Sequence, residues 1–304
     1  MNYQKILDEI AVEITTMPHE GTVADYIPEL AKVDPDKFGI HLSTVRNEDF
    51  AIGDSEDKFS VQSISKVFSL AMAFSILGDK LWKRVGVEPS GNPFNSIVQL
   101  EYEDGIPRNP FVNAGALVIV DVLLSELENP EEDLFAFVKS LTASRQIGYN
   151  AVVAQSEKET GFLNAAFVNM MKAKGNIINQ TDDILDFYYK QCSIELNCRE
   201  LASAFLHFGE NALSYSHAGF SLTKSQVKRL NALMLSCGFY DESGQFAFKV
   251  GLAGKSGVGG GIVAVYPEEF AVAVWSPKLN KKGNSVRGFH SLELLTTKTE
   301  SSIF

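Results

Sequence analysis

The most informative stretch for the fold is residues 63–77, which read SISKVFSLAMAFSIL. Apolar side chains fall on every side of a helix drawn through this stretch, and a helix that is apolar all round is normally buried. Gly78 follows directly and is typical of a helix C-terminus. We therefore expect a helix in the interior of the protein, beginning at Ser63 and ending near Leu77.

Working outward from this helix, strand patterns lie toward both ends of the chain and helical patterns fill the middle. Predicted helices cover residues 3–16, most of 112–236 and the segment after Asn284. Predicted strands cover residues 37–45, 50–53, 246–250, 261–266 and 270–276, with turns at 46–49 and 267–269. Strands separated from a run of helices favour an α+β fold over alternating βαβ units.

The terminal strands are expected to form one antiparallel sheet, with the middle helices as an inserted helical subdomain. The 304 residues are enough for one catalytic domain with a large core. Within it we expect a sheet subdomain of about residues 1–62 and 241–304, and a helical subdomain of about 63–240.

Composition excludes several classes of partner. The formal net charge is −11, and a negative surface repels nucleic-acid phosphates and anionic membranes. Acidic residues interrupt the apolar ones near Met1, so no secretory signal is recognised. No uninterrupted apolar stretch reaches the roughly 20 residues of a membrane span. We expect a cytoplasmic protein.

Three cysteines, an odd number, are expected to be reduced and buried as small apolar side chains; they are Cys192, Cys198 and Cys237. A catalytic cysteine is the less favoured interpretation. The five histidines show no spacing typical of a metal site.

Ser63 and Lys66 form an S-x-x-K motif at the start of the predicted buried helix. Residues three apart share a helix face, so the Ser63 hydroxyl and the Lys66 amine can meet. A serine needs a base to take its proton, and burial lowers a lysine pKa far enough to supply a neutral amine. The motif alone is weak, because such a lysine can instead extend its amine to water. Ser65 is the competing nucleophile, but it faces away from Lys66.

A second motif, Gly254-Lys255-Ser256-Gly257, precedes a predicted strand. Serine acyl-transfer enzymes with S-x-x-K carry a similar triplet, whose strand backbone supplies an oxyanion N–H and whose lysine adds positive charge. A phosphate-binding P-loop is excluded, because position 249 is Lys rather than Gly and a strand follows instead of a helix. The glycines alone are equally consistent with a close backbone approach in a sheet.

Taken together, these motifs and others in the same order resemble the serine-dependent glutaminase family, which has the β-lactamase/transpeptidase-like fold. The matching segments are Val23–Ala31, Gln62–Lys66, Glu88–Gly91, Asn109–Ala116, Gln155–Glu157, Asp186–Tyr188, Cys237–Asp241, Ser243–Ala247, Lys255–Gly261 and Gly283–Gly288. The resemblance implies hydrolysis of L-glutamine to L-glutamate and ammonia through a glutamyl-serine intermediate, with no metal or organic cofactor. It also implies a homo-oligomer, commonly a tetramer.

The resemblance further assigns catalytic roles. Ser63 is the nucleophile and Lys66 its base. Tyr240 assists proton transfer to the departing ammonia. The backbone N–H groups of Ser63 and Val258 form the oxyanion hole.

Substrate-binding roles are carried over in the same way, to Tyr26, Gln62, Ser63, Asn113, Glu157, Asn164, Tyr188, Tyr240 and Val258. These residue types suit glutamine, because a carboxylate pairs with its α-ammonium and amide or phenol donors pair with its α-carboxylate. Without the resemblance, each has a structural interpretation. Glu157 would lie on a solvated helix face, Asn113 would be an N-cap and Asn164 a cap or turn residue, and the tyrosines would be packing residues.

Two alternatives stay open at this point. A penicillin-recognising enzyme would share the fold, but such proteins usually carry Ser-x-Asn, and this chain has Ser214-Tyr215-Ser216 instead. A catalytically inactive binding protein would need no nucleophile, and the presence of Ser63, Lys66 and Tyr240 argues against it.

Overall fold

A computed structural model describes residues 1–18, 20–90, 97–142, 144, 147–209 and 214–304, with only the backbone for 214–217. Gly91 of the matching segments lies outside these residues, as do the side chains of Ser214, Tyr215 and Ser216.

The described residues form twelve α-helices and nine strands. The helices are α1 Tyr3–Thr16, α2 Ser65–Leu77, α3 Ile97–Tyr102, α4 Asn113–Glu126, α5 Pro130–Thr142, α6 Ala151–Thr160, α7 Phe162–Ala173, α8 Thr181–Cys192, α9 Cys198–Leu206, α10 Lys224–Cys237, α11 Ser243–Lys249 and α12 Val286–Thr299. The strands are β1 Gly39–Thr44, β2 Asp49–Gly53, β3 Phe59–Ser60, β4 Glu195–Leu196, β5 Ser214–His217, β6 Phe220–Thr223, β7 Ala253–Ser256, β8 Gly261–Tyr266 and β9 Phe270–Trp275.

One five-stranded sheet joins the two ends of the chain. Its order is β2-β1-β9-β8-β7, and every neighbouring pair is antiparallel. The N-terminal hairpin therefore lies against the C-terminal strands, with β1 paired to both β2 and β9. This arrangement confirms the expected α+β class and the sheet built from terminal strands.

The sheet is covered on both faces, which explains why β8 and β9 read as continuous apolar runs. Successive residues of a strand point to opposite faces. Ile262 and Ala264 accordingly pack with apolar residues of α1 and α12. Val263 and Val265 pack in the larger core that contains α2, α4 and α9.

The central helix α2 lies in this larger core, as its sequence predicts. Every residue from Ser65 to Phe74 is buried, and the helix packs against α4, α5 and the short strand β6. Burial of each large apolar side chain, such as Phe68, contributes roughly 1.5–3 kcal/mol. Gly78 ends the helix with φ +53°, a conformation that glycine adopts without strain.

The sequence-based prediction is wrong for residues 246–250, which belong to helix α11 and its end rather than to a strand. The alternation of Phe246, Phe248 and Val250 indicated a strand. In the structure Phe246 and Val250, four residues apart, share the buried helix face, while Phe248 is 90% exposed. The two-residue repeat of a strand and the 3.6-residue repeat of a helix cannot be distinguished in a hydrophobic pattern of only five residues.

The predicted start of the central helix also differs in detail. Residues Gln62–Ile64 form a 3₁₀ turn, and the α-helix begins at Ser65. The division into sheet and helical subdomains, near residues 62/63 and 240/241, stays a prediction.

Candidate active site

A cavity of about 270 Å³ opens at the start of α2. It lies just below the roughly 300–1,000 Å³ range of small-molecule pockets. Its lining is Tyr26, Ile27, Gln62, Ser63, Asn113, Glu157, Thr160, Gly161, Leu163, Asn164, Tyr188, Cys192, Tyr240 and Val258. Every residue to which the resemblance gave a catalytic or substrate-binding role lines this cavity, except Lys66, which is buried at 1% exposure.

The turn before α2 presents Ser63 to the cavity. Gln62 has φ +50°, a left-handed conformation that is costly for a residue with a side chain and is often found at functional sites. The Gln62 carbonyl accepts a hydrogen bond from Ser65 Oγ at 2.7 Å, and its side-chain amide donates to Ser60 Oγ at 2.8 Å. Ser65 is therefore engaged in holding the turn, which leaves Ser63 as the serine at the cavity.

Two glycines bring the strand region after β7 against this turn. A Cβ on Gly257 would lie 2.4 Å from the Val61 carbonyl oxygen, and one on Gly259 would lie 2.1 Å from that of Ser60. Real Cβ atoms do not approach so closely, so only glycine permits the contact. The approach places Val258 at the cavity beside Ser63.

Lys66 is held by two acceptors deep in the protein. Its Nζ donates to the Phe111 carbonyl at 3.1 Å and to Asn113 Oδ1 at 2.7 Å. Burial lowers the pKa of Lys66 to about 8, and the nearby Cys192 and Glu157 partly oppose this shift. At pH 7 about one tenth of the amine is therefore neutral, which is the form that a base requires.

Asn113 connects the amine to the rest of the cavity wall. Its Oδ1 also accepts from the Tyr188 hydroxyl at 3.3 Å, and its Nδ2 donates to Asn164 Oδ1 at 3.1 Å. The N-cap position of α4 is occupied by Val112 instead, so the interpretation of Asn113 as an N-cap is wrong.

Glu157 lies in the cavity wall rather than on a solvated helix face, so that alternative interpretation is wrong as well. It is 7% exposed, and its Oε1 is buried without a hydrogen-bond partner. Burial raises its pKa to about 7, while a hydrogen bond with Gln62 and the charge of Lys66 lower it. A buried acceptor at a cavity wall is suited to a cationic group of a ligand.

Tyr240 lines the cavity next to Ser63. Burial raises its pKa to about 12, and hydrogen bonding with the side chains of Ser63 and Ser256 partly opposes this. Its φ is +57°, a second left-handed non-glycine residue at the site. At neutral pH the phenol keeps its proton and can pass it through the Ser63 contact.

Lys255 lies behind Tyr240 and not at the cavity surface. Its Nζ donates to the carbonyl oxygens of Gly238, at 3.0 Å, and Ser256, at 2.6 Å, and lies 4.6 Å from the centre of the Tyr240 ring. Burial, followed by the charge of Lys66, lowers its pKa. The expectation that the Lys-Ser-Gly lysine adds charge at the reacting atoms thus gives way to contacts with the Tyr240 ring and two backbone segments.

Other lining residues carried no recognisable signal in the sequence. Thr160 and Leu163 have ordinary types in ordinary patterns, and only the tertiary structure brings them to the cavity. Cys192 is buried and free, like Cys198 and Cys237, which confirms the interpretation of all three as buried thiols. Burial raises the pKa of the Cys192 thiol, so it is a poor nucleophile at this cavity.

No metal site emerges from the part of the chain that the structure describes. Within it, no three His, Cys, Asp or Glu side chains are grouped so as to hold an ion.

Comparison with known proteins identifies the family. A family model described as glutaminase matches residues 21–304. The glutaminase of Saccharophagus degradans is 55% identical over 304 residues, covering 100% of this chain and 99% of its own. The glutaminase of Christiangramia forsetii is 54% identical and fully covered on both sides.

Solved structures agree. The probable glutaminase ybaS superposes with a TM-score of 0.91 at 35% identity, covering 99% of this chain and 97% of its own. A probable glutaminase from Bacillus subtilis, complexed with 6-diazo-5-oxo-L-norleucine, superposes with a TM-score of 0.84 at 30% identity, covering 99% and 95%. Similarity of this extent in both sequence and structure establishes that the chain belongs to the glutaminase family, with its β-lactamase-like fold.

Proposed function

We propose that this glutaminase hydrolyses L-glutamine to L-glutamate and ammonia through a covalent glutamyl-Ser63 intermediate. Ser63 Oγ bonds to the side-chain amide carbon as its proton passes to Lys66 Nζ. The C–N bond then breaks, and the leaving nitrogen takes a proton, relayed from the Lys66 ammonium through Tyr240, to depart as ammonia. Water hydrolyses the ester in the second step, which restores the Ser63 hydroxyl.

The observation that carries this proposal is the buried amine of Lys66, three residues after Ser63 in the chain. A neutral amine has two N–H bonds and one lone pair. The Phe111 carbonyl and Asn113 Oδ1 accept the two N–H bonds, so the lone pair is the position available for the proton of Ser63.

Tyr240 and the turn at Val258 complete the chemistry. The phenol hydrogen-bonds with Ser63 and keeps its proton at neutral pH, so it can relay a proton to the leaving nitrogen. The backbone N–H groups of Ser63 and Val258 are proposed as the oxyanion hole. The Gly257 and Gly259 contacts support this role, because they bring Val258 against the nucleophile turn.

Substrate recognition is proposed to centre on Glu157. Its buried Oε1, which has no hydrogen-bond partner within the protein, accepts a hydrogen bond from the α-ammonium of glutamine. This bond replaces the hydrogen bond to water that the carboxylate oxygen loses when it is buried. The neighbouring Gln62 and the charge of Lys66 favour the ionised carboxylate that this pairing needs. A pocket that pairs each polar group of the ligand discriminates against analogues that lack one.

The α-carboxylate requires donors, and other lining residues carry them. Asn113, Asn164 and the hydroxyl of Tyr188 form a connected set there. Tyr26 lines the cavity while remaining 56% exposed, which places it at the mouth. We propose that these four residues bind the carboxylate and enclose the substrate.

The direct test compares wild type with Ser63→Ala for ammonia released from glutamine and from asparagine. Removing the nucleophile of a cooperating set costs several orders of magnitude, about 10⁶-fold in one well-studied serine enzyme. Ser69→Ala is the matched control, because Ser69 is a fully buried serine of the following helix α2 whose hydroxyl bonds locally, to the Lys66 carbonyl. Near-wild-type turnover by Ser63→Ala would disprove the assignment.

Covalent labelling tests the intermediate separately. The diazo ketone present in the Bacillus subtilis structure is a glutamine analogue, and we expect it to attach to Ser63 of this chain. Mass spectrometry of the treated protein should place the adduct on the peptide containing Ser63. An adduct elsewhere, or none, would contradict the nucleophile assignment.

Assembly and location are also proposals. The family resemblance supports a homotetramer, and sedimentation velocity tests it. Within the described residues, no helix combines the length and apolarity needed to cross a bilayer. We propose a cytoplasmic enzyme that acts on the free amino acid, and the formal charge of −11 supports the absence of a nucleic-acid partner.

A further inference from the structure

The turn that carries Tyr240 is strained and must be held by its surroundings. Tyr240 has φ +57°, and a left-handed conformation at a residue with a side chain persists only where neighbouring contacts stabilise it. The next-but-one residue, Glu242, is 8% exposed and does not line the cavity. Its buried carboxylate needs hydrogen-bond donors.

Two amide side chains of a distant loop supply these donors. Asn280 Nδ2 donates to Glu242 Oε2 at 2.9 Å, and Asn284 Nδ2 donates to the same oxygen at 2.6 Å. Asn280 Oδ1 in turn accepts from the backbone N–H groups of Lys282 and Asn284, at 2.9 and 3.1 Å. The loop is therefore shaped so that both amides converge on one oxygen.

The same loop contacts the catalytic groups from the other side. A Cβ built on Gly283 would lie 3.7 Å from both the Tyr240 ring and the Val258 side chain. Leu279 packs in one apolar cluster with Tyr240 and Val258. The loop formed by residues 279–284 thus contacts both the phenol and the residue proposed for the oxyanion hole.

We propose that Glu242 is a positioning residue, which joins the turn carrying Tyr240 to the loop 279–284 through Asn280 and Asn284 and so aligns the Tyr240 phenol with Ser63. The inference rests on the proposed function, because it assigns Tyr240 the protonation of the leaving nitrogen. What matters is the acceptor oxygen rather than the charge, since a single oxygen receives both amides.

The test uses two substrates that differ in their need for a proton. Glutamine must have its leaving nitrogen protonated, whereas the γ-(S-methyl) thioester of L-glutamate releases a thiolate that departs without a proton. Glu242→Met removes the acceptor but keeps the length of the side chain. It should lower kcat for glutamine about tenfold or more, part of the roughly 10²–10⁴-fold that a positioned proton donor supplies. It should lower kcat for the thioester much less, and Tyr240→Phe should show the same selectivity.

Glu242→Gln is the rescue variant, because its amide oxygen can accept both hydrogen bonds. It should retain most of the wild-type kcat.

Glu200→Met is the matched control. Glu200 is equally buried and hydrogen-bonded, but it lies in α9, and its loss should leave the ratio of the two substrates unchanged. If Glu242→Met fails to fold, Asn280→Ala removes one of the two bonds from a partly exposed position and should shift the ratio in the same direction.

Equal losses on the two substrates, or equal losses in Glu242→Gln and Glu242→Met, would overturn the inference. So would glutamine turnover by Glu242→Met within twofold of wild type. Failure of the proposed function looks different, because wild type itself would then release no ammonia from glutamine.

Discussion

The pH dependence of turnover reports directly on the buried base. As the proposed base, Lys66 would act only when neutral, and its pKa is about 8 instead of the ordinary 10.5. This displacement corresponds to about 3 kcal/mol against the charged amine. At pH 8 about half of the amine is neutral and at pH 6 about one hundredth, so kcat should fall about fifty-fold between these values.

A second ionisation should appear only in kcat/KM. In the free enzyme Glu157, with a pKa of about 7, must also lose its proton before it can bind an ammonium. The kcat/KM profile reports groups of the free enzyme, whereas kcat reports the substrate complex, in which Glu157 is already paired. Below pH 7 we therefore expect kcat/KM to fall by about two powers of ten per pH unit and kcat by one.

Glutamate should be quantified chromatographically, because a coupling enzyme would add its own pH dependence. Circular dichroism at each pH shows whether the fold is intact. A kcat that keeps increasing tenfold per unit to pH 10 would mean that Lys66 has an ordinary pKa. A kcat that is flat from pH 6 to 8 would mean that no base titrates there. Either result would refute the reasoning from burial.

Three further predictions concern single positions. Glu157→Gln should raise KM by about two orders of magnitude, because the ammonium of the substrate loses its partner. It should also move the acid limb of the kcat profile to lower pH, because the charge of Glu157 raises the pKa of Lys66. A KM within threefold of wild type would contradict this role. Gly259→Ala should lower the free energy of unfolding by at least about 1–3 kcal/mol and reduce turnover, because the added Cβ would lie 2.1 Å from the Ser60 carbonyl oxygen. Urea unfolding measures the loss of stability, and kcat measures the loss of turnover. Phe246→Ala should lower the free energy of unfolding in urea by about 3–5 kcal/mol, whereas Phe248→Ala should change it by no more than about 0.5 kcal/mol, because only Phe246 is buried. Equal losses of stability in the two variants would favour the strand interpretation of this segment.

Much of the site could be read from local chemistry along the chain. The S-x-x-K spacing predicts a nucleophile and its base, because a helix fixes which side chains share a face. An all-apolar helix predicts its own burial, and burial predicts the lowered pKa of Lys66. Terminal strand patterns predicted one antiparallel sheet, which the pairing of β1 with β9 confirms. The match to glutaminases placed the remaining residues, and nearly all of them line one cavity.

Other features depend on contacts between segments far apart in sequence, and no local pattern encodes them. Lys255 carries the expected motif, yet the surrounding packing directs its amine to Gly238 and the Tyr240 ring rather than to the reacting atoms. The sequence around Glu242 is typical of an exposed carboxylate, but in the structure a loop about 40 residues later in the chain contributes two side-chain amides that donate to it. Residues 246–250 alternate like a strand but form a helix, because periodicity over five residues is ambiguous and the buried neighbours of Phe246 decide which face packs. Local geometry, such as which side chains share a helix face, follows from neighbouring residues and can be predicted from the sequence. The contacts of a buried side chain depend on segments far apart in the chain, so only the folded structure reveals them.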